Sequence, residues 1–490
     1  MRSRRDGLRR RWLLDALAAQ TLAPAAVVLG DTAARPAAVI DDGCRPEPRW
    51  LEELVAAAAR APGRPVRGRT VPDPLDASPV AGSLDANVLW PLNGVAGAEA
   101  VSAPEAIVHA ARPSRRSLRL PPHARAPRPV PDRMRVALLN PWFWPEVRRG
   151  SERLLHDLAV DLTALGHAPR LLTSHPSTTT RTIGDGFAVV RTRRPPAGLL
   201  ERHGVQEALS HVPLTLAELL RGNDDAAVAA YLTDALAAVA WGARTGRPAV
   251  YAYMGIPERH VLASRRGRLA LLETVTARAD AVVALSTAAR DAIWRWLGVE
   301  AHVIAPGVDL DHFTPQPAAR AAEPTIACAA DPGEGRKRVE AIVTAFAHVR
   351  RERPTARLRL MKPRDPAVQR RLAAPGVEFA DLASEELRDL YRDAWVTGLA
   401  SRQEAFGLVL VESLACGTPV FGRREGGVPD IVGSDAVGRL FDDEDELAGV
   451  MLETLELAQD PVTAGNCRRR AEAFSSRTCA EAYVELLKRL

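Results

Sequence analysis

Residues 134–139 (MRVALL) are apolar except for Arg135, the pattern of a strand covered on both faces. A loop follows with Pro141, Trp142, Phe143, Trp144 and Pro145, and Gly150 then opens a helix. Leu154, Leu155, Leu158, Leu162 and Leu165 share one face of that helix. Gly166 stops it, and residues 170–173 make the next strand. Strand, crossover helix and strand form a βαβ unit, which calls for a parallel sheet. The unit sets the class as α/β.

The alternation continues down the chain. Strands are expected at 248–254, 281–285 and 302–305, with alanine-rich helices such as 232–243 between them. A turn-rich segment follows, Pro306-Gly307-Val308-Asp309 with Phe313 and Pro315, where Asp309 caps or braces a hinge. A second series starts with a strand at 325–330 and a polar loop at 331–336. The next helix carries Val339, Ile342, Val343 and Phe346 on one face. Strands at 357–361, 377–379 and 395–399, a helix at 385–391, and closing helices at 447–457 and 480–487 complete it. The chain divides into an extension, 1–133, and two α/β domains, 134–315 and 316–490.

Chemistry concentrates in 404–430, EAFGLVLVESLACGTPVFGRREGGVPD. Glu404 lies before a buried helix and Glu412 about one and a half turns inside it, with an apolar run between. Carboxylates beside such a run are costly to bury without a polar partner. Gly407 exposes backbone N–H groups at the helix start, where anions are favoured. Two readings stay open. The set suits a nucleoside diphosphate sugar, with amides for phosphate oxygens and carboxylates for ribose and sugar hydroxyls. It also suits a capped helix with Glu412 in a salt bridge. Upstream, Arg336, Lys337 and Arg338 crowd a positive helix end, which is unfavourable unless an anion docks there. Lysine occurs only at 337, 362 and 488. Gly150 gives a ligand close approach to backbone, or simply starts a helix.

Residues 404–430 strongly resemble the donor site of retaining glycosyltransferases of family 4, and the resemblance extends over about 134–490. It implies the GT-B fold, two Rossmann-like domains facing across a cleft, and transfer of a sugar from a UDP- or GDP-sugar to a hydroxyl acceptor without a metal or other cofactor. It implies that Glu404 faces the donor sugar, that Phe406, Gly407 and Leu408 supply backbone contacts, and that Glu412 binds ribose. Lys337 has the spacing to Phe346 of the lysine that contacts the diphosphate. Three positions depart from the pattern. Arg149 replaces the first glycine of a Gly-Gly pair ahead of Gly150. Pro332 replaces an arginine, whose place Arg336 or Arg338 takes. Met254 replaces a histidine facing the transferred sugar, and a thioether donates no strong hydrogen bond. These departures keep two alternatives open: a sugar-nucleotide-binding protein without turnover, and a sugar-nucleotide epimerase.

The extension reads differently. Helices at 12–20 and 49–59 and strands at 25–30 and 38–40 resemble a cut-down family 2 glycosyltransferase of GT-A fold over about 8–75. Position 43 is Gly, so the second metal-binding Asp of that pattern is missing after Asp41-Asp42. The pattern fades from about 76. Residues 111–133 hold seven arginines and six prolines, a stiff basic linker able to touch anionic lipid. The formal charge of +5 permits anionic ligands or an acidic membrane surface and does not demand nucleic acid. Five scattered cysteines without metal spacing suit a reducing compartment. The expectation is a cytoplasmic chain, with peripheral contact to the inner face of a membrane left open.

Overall fold

The computed structural model describes 130–490 except 144–145, 148–149, 195–205, 207, 259–261, 263, 265–266 and 382–383; within 1–129 it describes the backbone of six strands. These strands form one mixed sheet in the order Val27–Leu29, Ala38–Ile40, Asn87–Leu89, Val66–Pro72, Val101–Ala110, Cys44–Pro46. Of the strand expected at 25–30 the described part is Val27–Leu29, and it pairs in parallel with Ala38–Ile40, the strand expected at 38–40. Strands Asn87–Leu89 and Val101–Ala110 lie where the sequence pattern had faded. The helices expected at 12–20 and 49–59, Asp41-Asp42, and most of the 111–133 linker lie outside the described residues.

The first α/β domain is an eight-stranded sheet. From one edge it runs His302–Val303, Ala281–Ala284, Ala249–Tyr253, Ala226–Ala229, Arg135–Leu139, Ala168–His175, Phe187–Arg193, Thr180–Gly184. Every pairing is parallel except the last, a hairpin the sequence did not signal. The helix Gly150–Ala164 leaves Arg135–Leu139 as expected and buries Leu154, Leu155, Leu158 and Leu162. The second domain is all parallel: Val377–Ala380, Arg357–Met361, Thr325–Cys328, Val396–Leu399, Val420–Arg423, Gly438–Phe441.

Both sheets are doubly wound, so each has a point where strand order reverses and a crevice opens at the strand C-terminal ends. In the first domain that point lies between Arg135–Leu139 and Ala226–Ala229; in the second, between Thr325–Cys328 and Val396–Leu399. The loops from the second pair carry Lys337 and Glu404.

The hinge ties the domains together. Asp309 Oδ1 accepts the amides of Asp311 and His312, a turn brace of the kind the sequence suggested. The Val308 amide donates to the Phe474 carbonyl at 2.9 Å, and the Ser476 amide to the Val308 carbonyl at 3.0 Å. The final helix, Ser476–Arg489, packs against Gly150–Ala164 and so returns the chain to the first domain.

Candidate active site

Residues 401–407 emerge from the C-terminal end of Val396–Leu399 as a tight loop. Gln403 has φ 53° and Gly407 has φ 110°, and Gly407 caps the helix Leu408–Ala415. The glycine loop fixes the segment from behind. The Gly427 amide donates to the Glu404 carbonyl at 2.8 Å. A Cβ on Gly426 would lie 2.2 Å from that carbonyl oxygen, and one on Gly427 would lie 2.7 Å from Phe406 Cα. The glycine pair therefore sets how closely the two loops approach. Phe406 is buried and stacks edge-on against Phe474. Ser401 Oγ is buried in the same loop without a hydrogen-bond partner among the described residues.

Lys337 and Glu404 come together. Lys337 Nζ donates to Glu404 Oε2 at 2.7 Å, and both side chains are largely buried. The Arg402 amide donates to the Arg336 carbonyl at 2.9 Å, joining the two loops through backbone. The three basic residues at 336–338 divide their partners. Arg336 is half-exposed, pairs with Glu334 at 3.0 Å and stands 3.8 Å from Glu404. Arg338 sits at φ 52° and donates two bonds to Glu444, 2.9 and 2.8 Å long. Arg423 donates to the same carboxylate at 3.2 Å. Of the two candidates for the arginine replaced by Pro332, Arg338 is therefore held away by Glu444 and Arg336 stands beside Glu404.

Glu412 has the ion-paired environment, one of the two readings open from sequence. Its side chain is 1% exposed. Oε1 accepts from Arg153 Nη1 of the first domain at 2.6 Å, and Oε2 accepts from the Tyr391 hydroxyl at 2.9 Å. The Arg153 guanidinium lies over the Phe313 ring at 5.3 Å. Burial works against the Arg153 charge, but Glu412 and Asp157 outweigh it and raise its pKa. Burial, followed by the charge of Glu412, pushes the Tyr391 hydroxyl well above its ordinary value. Arg153 and Tyr391 carried no distinguishing signal in sequence; only their closeness in space to Glu412 gives them a role.

On the facing side, Gly150 is exposed, and a Cβ there would meet nothing within 4 Å among the described residues, so no contact with them requires glycine. Glu152 is buried and accepts from Asn140 Nδ2 at 3.2 Å, bracing the helix start to the end of Arg135–Leu139. Met254 is partly buried against the core at the end of Ala249–Tyr253. Arg149 lies outside the described residues. The domains also meet where Asp430 Oδ2 accepts the Thr287 amide at 2.7 Å. The four described cysteines are buried, with thiol pKa values raised by burial to about 11 or 12. Among the described residues no group of three or more His, Cys, Asp or Glu could hold a metal ion. Among the same residues no helix is long and apolar enough to cross a membrane.

Two family models match in sequence along the chain. Residues 148–312 match Glycosyltransferase Family 4, and 323–457 match Glycosyl transferases group 1. Both matches lie beyond the extension, and the family 2 resemblance there gains no support from them. A D-inositol 3-phosphate glycosyltransferase of Saccharomonospora viridis is 31% identical over 256 residues, 44% of this chain and 55% of the relative. One from Xylanimonas cellulosilytica is 34% identical over 229 residues, 40% and 52% respectively. The chain spans about half the length of the curated relatives it matches. Among solved structures, sucrose-phosphate synthase from Thermosynechococcus elongatus superposes with a TM-score of 0.64 at 22% identity, covering 73% of this chain and 99% of that one. Anabaena Alr3699/HepE in complex with UDP and glucose gives 0.57 at 17%, covering 73% and 100%. At these identities the structural likeness speaks for the fold.

Proposed function

Because residues 148–312 match Glycosyltransferase Family 4 and 323–457 match Glycosyl transferases group 1, in a two-domain GT-B fold, we propose that this chain transfers a sugar, with retention at the anomeric carbon, from a nucleoside diphosphate sugar to a hydroxyl acceptor. One observation carries the reading: Lys337 Nζ and Glu404 Oε2 meet at 2.7 Å where strand order reverses. A cation for the departing diphosphate and an acceptor for sugar hydroxyls then stand side by side, next to the helix start at Gly407.

Lys337 and Arg336 neutralise the charge that develops as the anomeric carbon parts from the diphosphate. The amides of Phe406, Gly407 and Leu408 add donors, and no metal is assigned a part. Glu404 accepts from the sugar hydroxyls and holds the ring in register with the acceptor. The acceptor oxygen forms the new bond, and its proton passes to the diphosphate. Gly150 and the helix it opens face the same cleft from the first domain. Glu412 reaches ribose only by exchanging Arg153. Neighbours crystallised with UDP or UDP-glucose make UDP-sugars the first to try, with GDP-sugars next. The seat of action we propose is the cytoplasm, with the inner membrane face as a docking surface.

The test is a thermal-shift panel of UDP-, GDP- and ADP-sugars on the full chain. A rise in Tm with one base fixes the donor class. No rise with any of them, at millimolar ligand, removes the reading. Met254 and Pro332 favour a second reading, a sugar-nucleotide-binding protein without turnover. It holds if a donor binds and no nucleoside diphosphate is released across an acceptor panel; release that vanishes in Lys337→Ala excludes it. Isomerised donor formed without acceptor would instead mark an epimerase.

A further inference from the structure

Two helices start at the strand ends that bound the cleft, Gly150–Ala164 in the first domain and Leu408–Ala415 in the second. Arg153 is the fourth residue of one and Glu412 the fifth of the other. At 1.5 Å rise per residue, their bond lies roughly one turn from each helix start. The bond is short, 2.6 Å, and its carboxylate is almost wholly buried. The second oxygen of that carboxylate is already taken by Tyr391, which belongs to the same domain as Glu412. Arg153 is fixed from its own side by Asp157 at 3.8 Å, one turn on, and from the hinge by the Phe313 ring.

We propose that Arg153 is a positioning residue. Through Glu412 it sets the separation of the two helix starts that flank the cleft, so that the donor-side amides at Gly407 and Leu408 and the first-domain backbone at Gly150 stay in register. This rests on the donor-site reading above for its purpose, but not for its geometry. Three features point to a strut rather than a surface pairing. Exposed pairs are weak because water screens them, whereas this carboxylate sees almost no water. The partners come from different domains, so the bond fixes a distance that neither domain fixes alone. Each partner is held by further contacts, so little freedom remains for the pair to absorb a change in spacing. Glu412 in this role acts through the helix it belongs to, and ribose hydroxyls need not reach it.

The experiment is a double-mutant cycle on the full chain, Arg153→Met and Glu412→Gln, read by amide hydrogen exchange in the two helices. Either single variant is expected to speed exchange about tenfold at the hydrogen-bonded amides beyond the first turn of both helices. The double variant should exchange no faster than the worse single one. Arg153→Lys, which keeps the charge but offers a single point donor, should fall between wild type and Arg153→Met. It also covers the case in which Arg153→Met fails to fold. Exchange at Leu408–Ala415 unchanged in Arg153→Met, or effects that simply add, would overturn the strut. UDP and GDP titrations supply a second arm. Weaker binding to Arg153→Met agrees with lost register. Tighter binding would mean that ribose and Arg153 compete for Glu412, and the strut would then be wrong. If neither nucleotide binds wild type, the donor reading fails while the exchange cycle still decides the strut.

Discussion

Lys337 Nζ stands 2.7 Å from Glu404 Oε2, on loops from the two strands between which the second sheet reverses its order. Each charge is compensated by the other, so neither side chain needs a ligand to be stable there. A donor sugar would enter this pair and divide it, the cation going to phosphate and the carboxylate to hydroxyls. Lys337→Met and Glu404→Gln should each lower turnover by about two to three orders of magnitude, the scale of losing one preorganised electrostatic contact. Each variant leaves the partner's charge without its compensation, with Arg336 3.8 Å from Glu404 as the remaining cation nearby, so retention of the fold is read beside turnover. Steady-state release of nucleoside diphosphate, alongside circular dichroism, checks this. A loss under threefold in both variants would remove the pair from the chemistry.

In the proposed mechanism Lys337 and Arg336 neutralise the diphosphate in place of a divalent cation. Turnover is therefore expected to be the same in excess chelator as in millimolar magnesium or manganese. A fall of tenfold or more on chelation, restored by one metal, would contradict the assignment.

The α/β class and much of both parallel sheets were legible because buried parallel strands and crossover helices write long apolar patterns. Leu154, Leu155, Leu158 and Leu162 are an example, all buried in the helix they predicted. The Thr180–Gly184 strand was not legible, because its residues are all exposed and carry no alternation. At the site, Lys337 was singled out by the family resemblance, and it meets Glu404 because their loops leave adjacent strands of one sheet. The partner of Glu412 was not legible, since Arg153 lies 259 residues away in another domain and only the docking of domains brings them together. The bond of Arg338 to Glu444 was illegible for a different reason: both lie in the second domain, and the bond depends on a left-handed turn at a non-glycine residue.

His156 gives a pH-dependent contribution. Its Nδ1 lies 3.1 Å from Asp157 and its Nε2 3.0 Å from Asp185, tying the helix Gly150–Ala164 to the turn after Thr180–Gly184. Burial lowers its pKa, but the bonds to both aspartates together prevail and raise it above 6.5. A raised histidine binds its proton more tightly in the folded state. Its contribution is thus complete below 6.5 and is lost as pH climbs through the folded value. The Tm of wild type relative to His156→Gln should be higher at pH 5.5 than at pH 8. An equal gap at both values would show that the imidazolium contributes nothing.

Glu444 has the opposite sign. Its bonds from Arg338, with added charge from Arg338 and Arg423, hold it below its usual 4.5 despite some burial. Its stabilisation is complete above 4.5 and fades as pH falls through the lowered folded value. Glu444→Gln should melt below wild type at pH 7, and the two should converge in acid. The loss at pH 7 should also reach the donor side, because Arg338 adjoins Lys337 in the same turn. Weaker nucleotide binding in Glu444→Gln, together with the Tm difference, checks that link.

Gly307 is where the hinge has no space to give. A Cβ there would lie 2.2 Å from Ser476 Cα and 2.6 Å from both the Ser475 carbonyl oxygen and the Ser476 amide nitrogen. All three are backbone atoms, so no rotamer change relieves the clash. The chains must separate, and the bonds between Val308 and Phe474 and between Ser476 and Val308 lie directly in the path. Gly307→Ala should therefore cost about 1–3 kcal/mol, the range for forcing a group into a packed site. Because the crossing starts the helix Ser476–Arg489 that docks on Gly150–Ala164, the loss should loosen one domain from the other. A single melting transition in wild type would then split or broaden in the variant. Gly449→Ala is the control: it lies within the helix Leu447–Leu457, a Cβ meets nothing within 4 Å, and it should be neutral or stabilising by up to about 1 kcal/mol. If Gly307→Ala melts like Gly449→Ala, the crossing at Ser475-Ser476 does not hold the domains together.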